Sequence, residues 1–182
     1  MHMRNLAFFV TVISFSLLPA CAPAAESLDA LQANIETDFQ TVEQLSAKDF
    51  LALDPDKILL LDIREPEEYA VSRLPGAVWV NPKSNAHTAL LQIGDVRYKQ
   101  IVVYCSVGVR SSRFAKRTQE ELRAMGAVSV SNLEQGIFGW HNEGRDLVNA
   151  EGETDAVHPY DENWGRYVKR KDKARYVPAW VN

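Results

Sequence analysis

The residue best placed for chemistry is Cys105, which follows the apolar run 101–104 in the segment YCSVGVRSSRFAKR. An apolar run, a glycine at 108 and a polar helix-forming stretch together predict a buried strand, a tight loop and the first turn of a helix. Backbone N–H groups of such a first turn have no partner inside the helix, and the helix dipole adds positive potential. We therefore expect the thiolate form of Cys105 to be favoured, as a nucleophile requires.

The residues around Cys105 have the composition of an anion-binding loop. Gly108 permits a tight turn around the sulfur, and Arg110 adds a permanent positive charge. The other members of the predicted substrate-binding loop are Ser106, Val107, Val109 and Ser111. Three cations of the predicted helix favour the approach of small anions, namely Arg113, Lys116 and Arg117.

Short apolar runs predict the elements that position this loop. Four of them, each bounded by turn-forming residues, predict strands at 58–61, 77–80, 101–104 and 128–130. Their mostly unbroken apolar character is typical of strands that are covered on both faces in a parallel sheet. Helices are predicted at 46–53, 66–71, 84–93 and 111–125. The fold class is therefore α/β, a single domain over 41–148 with a central, mostly parallel β-sheet and helices on both faces.

Length and composition exclude several classes of protein. With 182 residues, of which 46% are hydrophobic and 24% charged, the chain suits one ordinary domain with appendages and can bury a core. Twenty basic and 24 acidic residues give a formal charge of −4, so no basic field exists for a nucleic-acid partner. The two cysteines, Cys21 and Cys105, cannot form a dense disulfide framework, and no Cys/His spacing predicts a metal site.

The first 20 residues have the pattern of a secretory signal, with Arg4, an apolar run at 6–18 and small residues after it. As a helix this run spans about 20 Å, less than the ~30 Å hydrocarbon core, so a permanent transmembrane anchor is disfavoured. The segment 18–21 resembles a lipoprotein box, in which Cys21 would be lipidated as the first mature residue; cleavage after 22–24 would instead discard it. We expect an exported, periplasmic protein, bound to the membrane if Cys21 is lipidated, with residues 21–40 as a tether or frayed helix.

Three segments together resemble the rhodanese sulfurtransferase family over residues 45–148. LLLDIREPEEYAVSRLPGA resembles its Asp-x-Arg-x-x-x-Glu-Tyr segment with the following Pro-Gly-Ala, YCSVGVRS its active-site loop, and LEQGIFGW its Leu-Glu-Gly-Gly-Ile-x-x-Trp segment. The resemblance implies that Cys105 forms a persulfide, that Arg110 stabilises the anion, and that no metal or organic cofactor is needed. The implied partners are small sulfur anions, such as thiosulfate or a persulfide donor, and a thiol acceptor, or cyanide in vitro.

The chain departs from this family pattern at two places. Residues 72–74 are Ser-Arg-Leu where the family commonly has Gly-His-Ile, and Gln135 replaces a glycine of the later motif. Neither change alters the cysteine, glycine or arginine of the loop.

Three charged residues are expected to support the site. Asp62 and Arg64 follow a predicted strand, where we expect them to brace its end rather than to act in catalysis. Arg73 either adds to the anion-attracting field or pairs with Glu67 or Glu68.

Other functions fit the same loop. A related class of phosphatases uses Cys-x-x-x-x-x-Arg, whereas four residues separate Cys105 from Arg110, a ring too small for a phosphate ester. A redox-sensing or protein-binding module would retain the same reactive thiol, and a buried cysteine can also be a simple packing residue. Sulfur transfer is favoured over all three.

Residues 149–182 form a C-terminal extension of different character, in which six Lys or Arg lie between positions 166 and 175. A solvated charged face is favoured over a membrane contact for this cluster. The histidines, at positions 2, 87, 141 and 158, show no spacing that indicates a Cys–His pair. His158, however, precedes Pro159 in a segment that could fold back over the loop. The sequence does not indicate an oligomeric state.

The N-terminal pattern generates a first prediction. If Cys21 is lipidated, a fatty-acid analogue fed to the producing cells labels the mature protein, which then partitions with membranes, because multiple acylation anchors a protein stably. The Cys21→Ser variant loses both the label and the membrane partition. An unlabelled protein that begins near residue 25 would indicate simple secretion, and an uncleaved Met1 in the cytoplasm would contradict export altogether.

Overall fold

The main sheet of the protein is parallel throughout. The computed structural model describes residues 27–181 of the chain. The sheet comprises β1 (Glu43–Leu45), β2 (Ile58–Asp62), β3 (Val78–Trp79), β4 (Gln100–Tyr104) and β5 (Ser129–Leu133), in the order β1-β5-β4-β2-β3. Asp62 of β2 lies opposite Tyr104 of β4, so the carboxyl ends of the two strands are adjacent. The predicted α/β fold is confirmed.

Four of these strands overlap the predicted apolar runs, although β3 is shorter than 77–80 and β5 begins one residue later and ends three residues later than 128–130. β1 was not predicted. The apolar runs identify strands that are covered on both faces. β1 has only three residues, of which Glu43 and Gln44 are polar, and it lies at the edge of the sheet. It is held by backbone pairing with β5, which leaves little trace in the pattern of side chains.

Helices cover both faces of the sheet. They are α1 (Leu28–Asp38), α2 (Ala47–Leu51), α3 (Pro66–Val71), α4 (Ala86–Ile93), α5 (Val109–Ala124), α6 (Gly136–Asn142) and α7 (Glu162–Gly165). Because side chains alternate along a strand, Ile101 and Val103 of β4 pack in one core with α4 and α5, while Val102 and Tyr104 pack in the other with α6. The strand that leads to Cys105 is therefore buried from both sides.

The structure corrects the prediction of a tether or frayed helix over 21–40. Residues 28–38 form a regular helix whose first turn is capped by the Ser27 hydroxyl, and the helix packs on the domain. Ile35 is only 2% exposed and Gln32 only 6%. Leu28 and Leu31 also pack, partly buried, against the second core, and with Ile35 they form a short apolar stripe at positions i, i+3 and i+7. The polar residues between them obscured this stripe in the sequence. Residues 21–26, the predicted signal and Cys21 lie outside the described residues, and no helix within 27–181 is long and apolar enough to span a bilayer.

The C-terminal extension is part of the packed structure. After β6 (Leu147–Val148) the chain turns into the antiparallel β7 (Glu153–Thr154), and Val157 then forms a bridge with Ala174. Val157 and Val168 are completely buried in the core that contains α6. The extension is thereby fixed on the same side of the sheet as the second core.

A buried ion pair closes the end of β2. The guanidinium of Arg64 donates to both carboxylate oxygens of Asp62, the shortest contact being 2.6 Å, and also to the Ser72 carbonyl oxygen at 2.6 Å. The Tyr104 hydroxyl donates to Asp62 at 2.7 Å and accepts from the Leu74 N–H. Burial and the negative charge of Asp62 raise the pKa of Tyr104 well above its ordinary value, so its proton stays in this network.

This buried pair generates a stability prediction. Asp62→Asn leaves the Arg64 charge buried without a counter-ion, so we expect it to lower the free energy of unfolding by about 3–5 kcal/mol. The matched control is Asp95→Asn, because Asp95 binds Arg97 with the same spacing and bidentate geometry on an exposed surface. Solvent screens that pair, so its loss is expected to change stability little. Equal effects of the two substitutions in urea denaturation would contradict a bracing role for Asp62.

Candidate active site

Cys105 begins the loop that joins β4 to α5. The loop occupies residues 105–108, and the cysteine side chain is 1% exposed. Gly108, the residue before α5, has a φ of 102°, in the left-handed region that favours glycine. A Cβ atom at this position would also lie 3.2 Å from both Asn132 and Ile35. Conformation and space therefore both favour glycine where the chain turns around the sulfur.

The sulfur atom is held by the loop and by the first turn of α5. The Gly108 N–H donates to Cys105 Sγ at 3.2 Å, and the Ser111 hydroxyl lies 3.4 Å from the same atom. The Ser111 hydroxyl is also 3.1 Å from the Gly108 carbonyl oxygen. With the dipole of the 16-residue helix α5, these donors favour negative charge at Sγ.

A cluster of three side chains fixes the rim of the loop. Both terminal nitrogens of Arg110 donate to the Glu68 carboxylate, at 2.8 and 2.9 Å. The Ser106 hydroxyl donates to Glu68 at 2.7 Å and accepts from Arg110 at 2.9 Å. The Arg110 charge is thus bound by a carboxylate from α3, for which the sequence indicated only an alternative pairing with Arg73. Glu68 is, however, the glutamate of the Asp-x-Arg-x-x-x-Glu-Tyr segment, so the motif could have marked it as a candidate site residue.

Both charges of this cluster are maintained in the folded protein. Burial alone would raise the pKa of Glu68, but the hydrogen bonds and charge of Arg110, with contributions from Arg64 and Ser106, hold that pKa below its ordinary value. Burial opposes the charge of Arg110 as well, yet Glu68 and the neighbouring Cys105 raise its pKa above the ordinary value. The Glu68–Arg110 pair therefore stays ionised at neutral pH.

The start of α6 supports the loop from below. The N–H groups of Ile137 and Phe138 donate to the carbonyl oxygens of Cys105 and Ser106, at 2.9 and 3.0 Å. A Cβ atom on Gly136 would collide with the Cys105 carbonyl oxygen, so this close approach requires glycine. The LEQGIFGW segment thereby fixes the backbone of Cys105.

Gln135 occupies a left-handed backbone conformation, with a φ of 58°, where the family pattern has a glycine. Helix α1 supplies contacts that hold it there. The Gln135 N–H donates to the Gln32 side chain at 3.1 Å, and its amide group donates to Asp29 at 2.7 Å. Gln135, which departs from the family motif, is therefore held by contacts with α1, a helix that precedes the segment resembling the family.

The remaining predicted site residues take different positions. Asp62 and Arg64 form the buried pair at the end of β2, one strand away from the loop. The Arg73 guanidinium lies 4.6 Å from the centre of the Tyr69 ring and donates to the Asn149 carbonyl oxygen. These contacts place Arg73 at the junction with the extension, while the Glu68 carboxylate is occupied by Arg110.

A cavity of about 350 Å³ opens above the loop. Its lining comprises Cys105, Ser106, Val107, Val109, Arg110, Arg113, Tyr160 and Trp164. The extension does fold back here, as the position of His158 suggested, but Tyr160 and Trp164 are the residues that reach the cavity. The Arg110 guanidinium lies 4.8 Å from the centre of the Tyr160 ring. Within residues 27–181, His, Cys, Asp and Glu form no group suited to a metal ion.

Comparison with known proteins identifies the family of this fold and loop. Residues 46–143 match the model of the rhodanese-like domain, which is more than half of the chain. The chain therefore belongs to the rhodanese-like family, as the motifs predicted.

Two relatives illustrate the similarity. The chain is 29% identical over 100 residues to a sulfurtransferase of Allochromatium vinosum, a match that covers 54% of this chain and 86% of the relative. Its fold is similar to the crystal structure of a thiosulfate sulfurtransferase from Pseudomonas aeruginosa, with a TM-score of 0.52 and 21% identity. That match covers 79% of this chain but 26% of the other, so the chain spans about a quarter of the larger protein.

The Glu68–Arg110 pair generates a pH-dependent prediction. Because folding lowers the pKa of Glu68, its contribution to stability is present above the ordinary value of 4.5 and is lost as pH falls from there through the folded-state pKa. Glu68→Gln should therefore lower the free energy of unfolding near pH 7 by roughly 1–3 kcal/mol, measured by urea denaturation, and the difference from wild type should be smaller below about pH 4. The exposed neighbour Glu67→Gln is the control. A difference that stays constant with pH would contradict this account.

Proposed function

We propose that this protein is a sulfurtransferase in which Cys105 carries the sulfur as a persulfide. The observation that carries the proposal is the position of Cys105 Sγ, beside the Gly108 N–H at the start of α5 and at the base of a cavity. Membership of the rhodanese-like family and the similarity to a sulfurtransferase support it.

The reaction has two halves, each a displacement at sulfur. In the first, the Cys105 thiolate attacks the outer sulfur of thiosulfate; the bond between the two thiosulfate sulfurs breaks, and sulfite leaves with its electron pair. In the second, an acceptor thiolate or cyanide attacks the outer sulfur of the persulfide, and the bond to Sγ breaks to regenerate the Cys105 thiolate. No net oxidation occurs, and no group outside the chain supplies electrons.

The loop provides fixed dipoles for both halves. The Gly108 N–H and the first turn of α5 face the negative charge on Sγ before attack, on the persulfide during transfer, and on Sγ again afterwards. Donors fixed in advance cost no reorganisation when that charge moves. Arg110 acts mainly by positioning, because Glu68 and Ser106 bind its guanidinium against the loop.

The competing functions differ in what they require of the loop. Phosphate-ester hydrolysis needs room for a tetrahedral group with its ester, and four residues between Cys105 and Arg110 make a small ring. A module that only binds a partner or senses oxidants does not catalyse sulfur transfer. The partners of our proposal are small sulfur anions and a thiol, and the place of action that we propose is the periplasm, on the basis of the N-terminal segment.

The test is sulfur transfer that depends on Cys105. Wild-type protein mixed with thiosulfate should gain the mass of one sulfur atom, which peptide mapping assigns to Cys105 rather than Cys21, and should form thiocyanate from cyanide. Cys105→Ser should lose both properties because it removes the nucleophile. The control, Cys21→Ser, should keep both.

Three outcomes would contradict the proposal. Turnover by Cys105→Ser at the wild-type rate would exclude Cys105 as the sulfur carrier. A wild type that gains no sulfur and forms no thiocyanate would favour a binding or sensing module. Hydrolysis of p-nitrophenyl phosphate at a rate comparable to sulfur transfer would favour a phosphatase.

A further inference from the structure

The cavity above Cys105 is larger than the donor requires. At roughly 30 Å³ per heavy atom, the share of a water molecule in the liquid, the five heavy atoms of thiosulfate fill on the order of 150 Å³. The cavity holds about 350 Å³, within the range of sites that bind organic molecules. Thiosulfate at the loop would thus leave more than half of the cavity for another part of a ligand.

The wall of this additional space is aromatic and comes from the extension. Tyr160 and Trp164 line the cavity together with the loop residue Val107 and with Val109 of α5. Such a wall offers an apolar surface that a small inorganic anion does not need.

The structure holds both aromatic residues in place. The Tyr160 N–H donates to His158 Nδ1 at 2.9 Å, and the His158 ring packs edge-on against Tyr176, with ring centres 5.3 Å apart. The backbone N–H of Trp164 donates to the Asp161 side chain at 2.8 Å, and the centre of the Trp164 ring lies 6.1 Å from that of the Tyr167 ring. The wall is therefore built by folded elements of the extension.

The charge at the rim of the cavity comes from Arg113. Arg110 is bound to Glu68, so its charge is already compensated. Arg113 follows one turn later on α5, lines the same cavity and is exposed. Over residues 27–181 no carboxylate forms an ion pair with it. An acidic group on a ligand would find this cation at the cavity edge.

We propose that the cavity is the acceptor site and that it selects an organic thiol with an apolar, preferably aromatic, body and a carboxylate. The inference rests on the proposed sulfur transfer and identifies its second substrate. The body packs against Tyr160 and Trp164, and the carboxylate meets Arg113. The acceptor thiolate attacks the outer sulfur of the Cys105 persulfide, the bond from that sulfur to Sγ breaks with its electron pair left on Sγ, and the acceptor leaves as a persulfide anion.

The experiment compares acceptors in steady-state kinetics of the full-length protein, with thiosulfate as donor. The probes are 4-mercaptobenzoate, benzenethiol and cyanide, which differ by a carboxylate and by an aromatic body. Trp164→Ala should raise KM about three- to tenfold for both aromatic thiols, because it removes a packing surface, and should leave KM for cyanide and thiosulfate within about twofold. Arg113→Gln should raise KM about threefold or more for 4-mercaptobenzoate and leave that for benzenethiol unchanged.

Matched controls lie outside the cavity lining. Trp180→Ala removes another tryptophan of the extension, and Arg123→Gln removes an exposed arginine from the last turn of α5; neither should change any of these KM values. Near-ultraviolet circular dichroism checks that Trp164→Ala keeps the extension folded, and if it does not, the Arg113→Gln comparison decides alone.

The two proposals fail in different ways. A wild type without transfer from thiosulfate to cyanide refutes the sulfurtransferase proposal. Normal transfer to cyanide, combined with KM values for the aromatic thiols that Arg113→Gln and a folded Trp164→Ala leave unchanged, refutes the acceptor site alone. An equal rise for all three acceptors would also refute it, since it would indicate a general disturbance of the loop.

Discussion

The ion pair between Glu68 and Arg110 links the segments that follow two central strands, next to Cys105. Glu68 lies on α3, which follows β2, and Arg110 lies on the first turn of α5, which follows β4. Because β2 and β4 are adjacent and parallel, a single side-chain contact links the segments that leave them. Ser106 hydrogen-bonds to both charges and so ties the loop to the pair. Loss of either partner would leave the other charge largely buried without compensation, which is costly.

This arrangement affects how the proposed site would hold an anion. The chain has a net formal charge of −4, and the Arg110 charge in the loop is neutralised by the Glu68 carboxylate. Attraction at the sulfur therefore depends on oriented groups, the Gly108 N–H and the dipole of α5, which act strongly where water is excluded. Arg113 adds a charge farther out, at the edge of the cavity. The start of α5 would thus stabilise an anion at the sulfur, and Arg113, farther along the same helix, would attract the anion from a distance.

The sequence predicted those structural features whose residues follow one another directly along the chain. Four strands were predictable because each contains or adjoins a short apolar run, although β5 also carries polar residues. Cys105 with its loop was predictable because strand, glycine and helix follow directly along the chain. β1 and α1 were not predicted, because β1 is held mainly by backbone pairing and the short apolar stripe of α1 is interrupted by polar residues. The contact of Glu68 with Arg110 spans 42 positions, and Tyr160 lies farther still from the loop it covers. Such pairings depend on the order of the strands in the sheet. The local pattern of apolar residues carries no information about that order.

The late position of the covering residues affects the protein while it is being made. A ribosome adds about 5–20 residues per second, so the loop at Cys105 leaves it some seconds before Tyr160 and Trp164. During that interval the nascent chain contains Cys105 and its strands but not Tyr160 and Trp164, which line the cavity with it. The cavity can therefore take its final shape only after the ribosome has added these two residues.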